Sequence, residues 1–182
     1  RTLLFEPFNI PSGSMIPTLK VGDYLFVSKF SYGYSRYSLP LGLVPFDGRI
    51  LGDEPERGDV VVFRQPKNES VAFIKRVVGL PGDEIAVRGG ILHINDTPVQ
   101  RQHTDIGTAT DGVRVMKYDD YVETLPEGSM HHIREMTDGG MLDNTRTFVV
   151  PEAHFFMMGD NRDNSNDSRT PSVGMVPFEN LI

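Results

Sequence analysis

The stretch VAFIKRVVGLPGD, residues 71–83, decides the fold class. Residues 71–78 are rich in β-branched and aromatic side chains, and apolar residues occupy positions of both parities. A short run of this kind that ends in a Pro-Gly turn is typical of a buried β-strand. The stretch therefore predicts a strand rather than a helix.

Similar runs lie on both sides, and no part of the chain has the periodicity of an amphipathic helix. VVVF at residues 60–63 is a second buried run, and residues 84–87 and 91–94 predict a hairpin. Further strands are predicted at residues 22–28, 113–118, 121–124, 130–136, 147–150 and 154–158. We predict an all-β protein of mostly antiparallel sheets, with a β core at residues 1–88 and 145–182 and an inserted smaller β-rich region at residues 89–144.

Composition and charge exclude several classes of protein. The chain has 182 residues, of which 38% are hydrophobic and 24% charged, as in ordinary globular proteins. Its net charge of −7 argues against a nucleic-acid partner. The absence of cysteine excludes disulfides, thiolate metal sites and cysteine nucleophiles. No apolar run of about 18 residues is present, so we expect no membrane-spanning segment within these residues.

Two serines lie on a constrained backbone in FNIPSGSMIPTL, residues 8–19. Pro11 and Pro17 push the residues before them toward an extended conformation, and Gly13 permits a sharp turn. A hydroxyl held there between apolar residues is a candidate nucleophile. A Pro/Gly/Ser loop without chemistry is the alternative.

Lys75 is unusual because it lies within the apolar run at residues 73–78. Either Lys75 or Arg76 should point inward. Burial disfavours a charged amine and can lower a lysine pKa by about 3–5 units, which produces a general base. The alternative is a lysine at the rim of the sheet whose amine reaches water.

GDNRDNSNDSR, residues 159–169, is too polar for a strand. It predicts a rigid loop in which Asp and Asn side chains bind nearby backbone, while Arg162 and Arg169 pair with carboxylates. The alternating polar residues at 163–167 also suggest a calcium loop, but the glycine and glutamate that an EF-hand requires are missing. A solvated polar loop is the remaining alternative.

Other catalytic signatures are absent. The pattern G-x-S-x-G is not found around Ser14, and the chain contains neither S-x-x-K nor H-E-x-x-H. We interpret all five histidines as structural or surface residues, so a Ser-His-Asp enzyme is unsupported. We expect no metal and no cofactor.

Together, three stretches resemble bacterial type I signal peptidase (leader peptidase), a family of serine peptidases that use a Ser-Lys dyad. IPSGSMIPTL at residues 10–19 resembles the nucleophile motif, and RGDVVVF with IKRVVGLPGD, residues 57–63 and 74–83, the lysine motif. Residues 159–169 resemble the last motif almost completely. The matches occur in family order and cover most of residues 5–88 and 147–182, whereas the region between them matches only loosely.

The resemblance implies roles for individual residues. Ser14 would be the nucleophile and Lys75 the general base, and the Ser12 hydroxyl and the Ser14 backbone N–H would form the oxyanion hole. The supporting residues it implies are Ser165, which would hold the Lys75 amine, Asp167 and Arg169, which would brace the loop, and Asp160 and Arg162.

The resemblance also implies a substrate. The family removes N-terminal signal peptides from exported preproteins through an acyl-enzyme, cutting after small residues in an Ala-x-Ala pattern. The pocket for the residue before the cut would be lined by Ile10, Met15, Leu19, Phe73 and Ile74. The pocket two residues earlier would be lined by Phe8, Leu25, Val62 and Ile74.

Localisation and partners follow from the same resemblance. Family members carry N-terminal membrane anchors, so we expect this chain to be an ectodomain at the cell (inner) membrane, on its periplasmic or extracytoplasmic face. The expected partners are preprotein signal peptides and the lipid surface, without nucleic acid, and we expect a monomer. The apolar strips at residues 3–8 and 39–46 are candidates for lipid contact.

Two other classes of function remain open. One is a Ser-Lys protease with another substrate, either a self-cleaving repressor or a pilus-processing relative, although a repressor would need a helical DNA-binding domain. The other is a non-catalytic β-rich module that binds extended peptides by strand addition.

Overall fold

The structure is a computed structural model that describes residues 5–28, 53–110, 113, 115–137 and 139–182. Within these ranges the chain forms thirteen strands and two single-turn 3₁₀ helices, Arg162–Asn164 and Phe178–Asn180. The strands are β1 Phe5–Asn9, β2 Tyr24–Ser28, β3 Val60–Gln65, β4 Asn68–Gly79, β5 Glu84–Arg88, β6 Ile91–Ile94, β7 Thr97–Pro98, β8 Gln100–Thr110, β9 Val115–Thr124, β10 Met130–Glu135, β11 Phe148–Val149, β12 His154–Met158 and β13 Val176–Pro177.

These strands form four sheets, and every strand-to-strand pairing in the described part is antiparallel. β1 and β2 form a ribbon. The other sheets have the orders β13-β12-β4-β3, β11-β5-β6-β7 and β10-β9-β8. The prediction of an all-β, mostly antiparallel protein is confirmed.

β4 lies between two hydrophobic cores because successive side chains of a strand point to opposite faces. Val77 packs in one core with Phe63 and Phe155. Val78 belongs to the other, with Ile85 and Phe156. Burial on both faces explains the apolar residues at both parities of this strand.

The three-stranded sheet differs from the prediction. β8 was not predicted, and β9 runs without a break through Asp119 and Asp120, where a turn was expected. These acidic residues stay in the strand because Asp119 pairs with His103 at 2.8 Å and Asp120 with Arg134 at 2.8 Å. Polar pairs between neighbouring strands stabilise this sheet in place of alternating apolar residues, so the hydrophobic pattern of the sequence predicted its strands poorly.

The two predicted boundaries of the inserted region lie side by side, since Arg88 and Asn144 form an isolated bridge. The sheet that contains β6 and β7 also contains β5 and β11, from the predicted core. The division into two regions stays a prediction.

Some predicted features lie outside the described residues. These are the apolar strip at residues 39–46 and the first part of the strip at residues 3–8. In the part of the chain that is described, no helix has the length and apolar character needed to cross a membrane.

Candidate active site

Ser14 lies on the turn segment that joins β1 to β2. The backbone N–H of Ile10 donates to the Asp23 carbonyl at 2.9 Å, and that of Gly22 donates to the Ile10 carbonyl at 2.9 Å. These bonds close the base of the segment. Ser14 is buried, with 7% of its surface exposed.

The amine of Lys75 reaches this hydroxyl from β4. Lys75 Nζ donates to Ser14 Oγ at 2.7 Å and to the Ile74 carbonyl at 2.8 Å. Lys75 is only 2% exposed, and its amine lies 5.3 Å from the centre of the Phe73 ring. The amine therefore does not reach water at the sheet rim.

Burial changes the acidity of this amine. It lowers the pKa of Lys75 to about 8, although Asp167 and Asp160 favour the charged form. An amine with that pKa is neutral in about a tenth of molecules at pH 7, against about 0.04% for an unperturbed lysine. A useful fraction of Lys75 can therefore accept a proton at neutral pH.

Asn161, which was not predicted as a site residue, holds the serine turn. Its backbone N–H donates to the Ser14 carbonyl at 3.0 Å, and its Nδ2 donates to the Gly13 carbonyl at 3.0 Å. The only sequence signal was its position inside the polar stretch at residues 159–169. Docking of this loop on the serine turn is a tertiary contact that no local pattern encodes.

Gly159 lies where the loop passes closest to the serine turn. A Cβ atom added there would lie 2.2 Å from Ser165 Oγ and 2.5 Å from the Ser14 carbonyl oxygen. Real Cβ atoms do not approach other atoms so closely. Only glycine fits this position without displacing the loop or Ser14.

Asp160 connects three parts of the site. It accepts two hydrogen bonds from Arg76, Nε to Oδ1 at 2.9 Å and Nη2 to Oδ2 at 2.8 Å. It also accepts one from Thr18 Oγ1 at 2.5 Å. Both Lys75 and Arg76 are buried, because Arg76 has this partner on the opposite face of β4. The expectation that only one of them points inward was therefore too narrow.

The remaining loop residues form two buried ion pairs. Arg169 donates from Nε and Nη2 to the two carboxylate oxygens of Asp167, both at 2.9 Å, and the Gly159 N–H donates to Asp167 Oδ2 at 3.0 Å. Arg162 pairs through both terminal nitrogens with Glu123 on β9. Glu123 was not predicted, because a glutamate in a polar strand carries no sequence signal of burial.

The two remaining predicted site residues are Ser165 and Ser12. Ser165 is buried, and its hydroxyl makes no hydrogen bond to the Lys75 amine, so the expected bond is not formed; it acts instead on Asp167, where it helps to lower the pKa of that carboxyl group. The amine is directed instead at Ser14 and the Ile74 carbonyl. Ser12 is exposed, and its Oγ lies 3.3 Å from Ser14 Oγ.

The apolar residues predicted to bind substrate come from the serine turn, β1, β2, β3 and β4. Three of these residues are buried in this structure, with exposed fractions of 2% for Ile10, 0% for Met15 and 5% for Val62. The half-buried members of the predicted pockets are Phe8, Leu19, Leu25, Phe73 and Ile74.

The family model described as "Signal peptidase, peptidase S26" matches residues 1–182. The chain belongs to this family. Signal peptidase I of Rickettsia typhi is 45% identical over 192 residues, covering 100% of this chain and 70% of that protein. Signal peptidase I of Rickettsia canadensis is 47% identical with the same coverage. The resemblance noted from the three motifs is confirmed, and the chain is a serine peptidase of the S26 family.

A solved member of the signal peptidase family was also found. It is a signal peptidase I from Enterococcus faecalis, 25% identical, with a TM-score of 0.40. The match covers 71% of this chain and 94% of the other.

Proposed function

We propose that this chain removes N-terminal signal peptides from exported preproteins, with Ser14 as the nucleophile and Lys75 as the general base. The observation that carries the proposal is the 2.7 Å contact between a buried amine and a buried hydroxyl. A base must lie within hydrogen-bond reach of the proton that it removes. The lowered pKa of Lys75 supports the same assignment.

The reaction would proceed in two steps. Neutral Lys75 takes the proton of Ser14, whose Oγ attacks the scissile carbonyl, and the lysine then gives that proton to the leaving amine. The product is an ester of Ser14. Water, deprotonated by the same lysine, attacks this acyl-enzyme and releases Ser14.

The oxyanion of the tetrahedral intermediates would be bound by the Ser12 hydroxyl and the Ser14 backbone N–H. Ser12 Oγ is adjacent to Ser14 Oγ, at 3.3 Å. Loss of one such donor typically lowers the rate about 10²–10³-fold. Ser12→Ala should lower the cleavage rate by a factor in that range. It should not lower the stability of the protein, because Ser12 is exposed.

The enzyme would select small residues at the last and the third-last positions of the signal peptide. The predicted pocket residues are apolar, and three of the eight are buried in this structure. An apolar pocket distinguishes substrates by about 1–3 kcal/mol per methylene. A preprotein with leucine in place of alanine before the cut should therefore be cleaved at least tenfold more slowly.

We also propose that the protein works as a monomer at a lipid surface on the extracytoplasmic side of the membrane. Tyr24 and Phe26 on β2 support lipid contact, since they are 74% and 76% exposed on the same side of the strand. Tyr24→Asp with Phe26→Asp should reduce co-sedimentation with liposomes, whereas the exposed Val115→Asp should not. Unchanged co-sedimentation of the double variant would contradict this role.

The experiment that tests the catalytic proposal is incubation with a preprotein. Ser14→Ala and Lys75→Ala should each abolish cleavage, while the exposed controls Ser172→Ala and Lys117→Ala should retain it. Circular dichroism would verify that all four variants are folded. Cleavage that survives both active-site changes would remove the Ser14–Lys75 assignment.

A further inference from the structure

Three carboxylates form a group that includes neither Ser14 nor Lys75. Glu135 ends β10, Asp143 lies in the loop that follows, and Asp163 is in the first 3₁₀ helix. One ligand oxygen from each lies within 4.8 Å of the other two. Glu135 and Asp143 are buried, and Asp163 is half-buried.

The positive charge around this group is poorly placed to neutralise Glu135. Glu135 is 2% exposed, yet neither of its carboxylate oxygens accepts a hydrogen bond from the residues that the structure describes. Arg101 pairs with it only at 3.6 Å, beyond hydrogen-bond range. Both terminal nitrogens of Arg162 are directed at Glu123 instead. A buried carboxylate without hydrogen bonds is costly, so the group requires another cation or a proton.

The other two carboxylates are held in position by backbone. The Gly140 N–H donates to Asp143 Oδ2 at 2.6 Å, and the N–H groups of Met136 and Thr137 donate to Asp163 Oδ2 at 2.6 and 3.0 Å. A Cβ at Gly140 would lie 2.9 Å from Asp163 Oδ1, so a side chain there would displace this carboxylate. The backbone thus fixes these oxygens near Glu135 before any ligand binds.

We propose that Glu135, Asp143 and Asp163 bind one hard divalent cation of the Ca²⁺ type. Carboxylate oxygens without imidazole or thiolate select hard cations. The three oxygens all lie within 4.8 Å of one another, which is close enough for a single ion to lie between them. Mg²⁺ demands a near-ideal octahedral geometry and usually keeps several of its waters, so a buried group of protein carboxylates suits it less well than Ca²⁺.

A cation here would join the loop after β10 to the 3₁₀ helix that carries Asp163. That helix belongs to the stretch at residues 159–169, which contacts the Ser14 turn through Asn161. An ion that binds only the folded state stabilises the protein. Once the ion concentration exceeds Kd, this stabilisation grows with the logarithm of the concentration. The site would therefore stabilise the loop, and it does not depend on the proposed function.

The test uses the folded chain after removal of metal with EDTA, at constant ionic strength. Calorimetric titration with CaCl₂ should give one site per chain, and Tm should rise with Ca²⁺ concentration. MgCl₂ should bind at least tenfold more weakly. Glu135→Gln and Asp163→Asn should each weaken Ca²⁺ binding at least tenfold, while the exposed Glu152→Gln should not.

Metal-free Glu135→Gln should be about as stable as the metal-free parent, because the substitution removes no hydrogen bond of the Glu135 carboxyl group. A Tm of metal-free Glu135→Gln close to that of the metal-free parent would show that lost binding is not a folding defect. The rival occupant is a proton, since burial raises the pKa of Glu135 to about 8. Absence of Ca²⁺ binding, or equal binding by the parent and both cluster variants, would overturn the cation site.

Discussion

Asn161 donates its backbone N–H to the carbonyl oxygen of Ser14 across 3.0 Å. The candidate nucleophile is therefore held by a loop that lies almost at the other end of the chain. Lys75 approaches the same serine from a third segment, β4. The reactivity of Ser14 should consequently respond to changes in the loop that leave both Ser14 and Lys75 intact.

A methyl group at position 159 should disturb Ser14 directly. In Gly159→Ala the new Cβ would overlap with Ser165 Oγ and the Ser14 carbonyl oxygen, at 2.2 and 2.5 Å. We expect kcat/KM for preprotein cleavage to fall at least about 100-fold, since displacement by 1 Å can cost that much. Gly139→Ala is the matched control, because the nearest atom to its added Cβ is 3.8 Å away. Equal activity of the two variants would contradict the steric argument.

Asp160 should be required for stability as well as for activity. Asp160→Asn leaves Arg76, which is 7% exposed, without its counter-charge. Removing one partner of a buried ion pair typically costs about 3–5 kcal/mol. Urea unfolding should show a loss of that size. Asp96→Asn, which breaks the exposed pair with Arg88, should cost less than about 1 kcal/mol. A loss no larger for Asp160→Asn than for Asp96→Asn would argue against a structural role.

The pH dependence of cleavage should report the amine of Lys75. Burial lowers its pKa to about 8, so kcat/KM should rise with pH to a plateau, with an apparent pKa near 8. An unperturbed lysine would give a midpoint near about 10.4. Two preproteins should give the same midpoint, because kcat/KM reports the free enzyme. A midpoint near 10 for both would show that the amine is not the buried base.

The same burial should make Lys75 a cost to stability. At pH 7 the folded state holds a mostly charged amine away from water. Between pH 8 and 10.5 the folded state loses this proton while the unfolded state keeps it, so the free energy of unfolding rises with pH. Lys75→Met should therefore be inactive but more stable than the parent at pH 7, by about 1–3 kcal/mol.

The stability difference between Lys75→Met and the parent should shrink as pH approaches 10.5, and urea unfolding at several pH values measures it. Lys117→Met, at an exposed lysine, should show no such trend. A Lys75→Met variant less stable than the parent at every pH would refute the burial cost.

Glu123 should contribute stability that disappears in acid. Burial by itself would raise its pKa, but Arg162 outweighs this and lowers the pKa of Glu123 to about 2. The stabilisation is complete above pH 4.5 and is lost as pH falls toward 2. Glu123→Gln should cost about 3–5 kcal/mol at pH 7 and remove part of the acid sensitivity.

The matched control for Glu123→Gln is Glu127→Gln, which removes a carboxylate whose side chain is 53% exposed. Glu127→Gln should lower the free energy of unfolding by less than about 1 kcal/mol. If both variants unfolded at the same urea concentration from pH 2 to 7, the buried pair would have no stabilising role.

The all-β class and the strands of the core could be predicted because local patterns encode them. β12 was predicted with the same bounds that the structure has, and β4 was recognised from apolar residues at both parities. β8 escaped prediction because its polar side chains are mostly exposed, so that no hydrophobic alternation marks it. Antiparallel pairing with the next strand, β9, supplies what the local pattern of β8 lacks.

Sequence by itself determined the family and the three segments from which the candidate site is built, because each segment is a continuous run with its own composition. Only the tertiary structure decided how these segments meet: that Lys75 Nζ lies 2.7 Å from Ser14 Oγ, that Asn161 holds the serine turn, and that Glu123 pairs with Arg162. Side chains separated by 39 or more positions along the chain carry no local signal of their proximity. Their distance, burial and pKa depend on how the sheets pack, and packing joins residues that the sequence keeps apart.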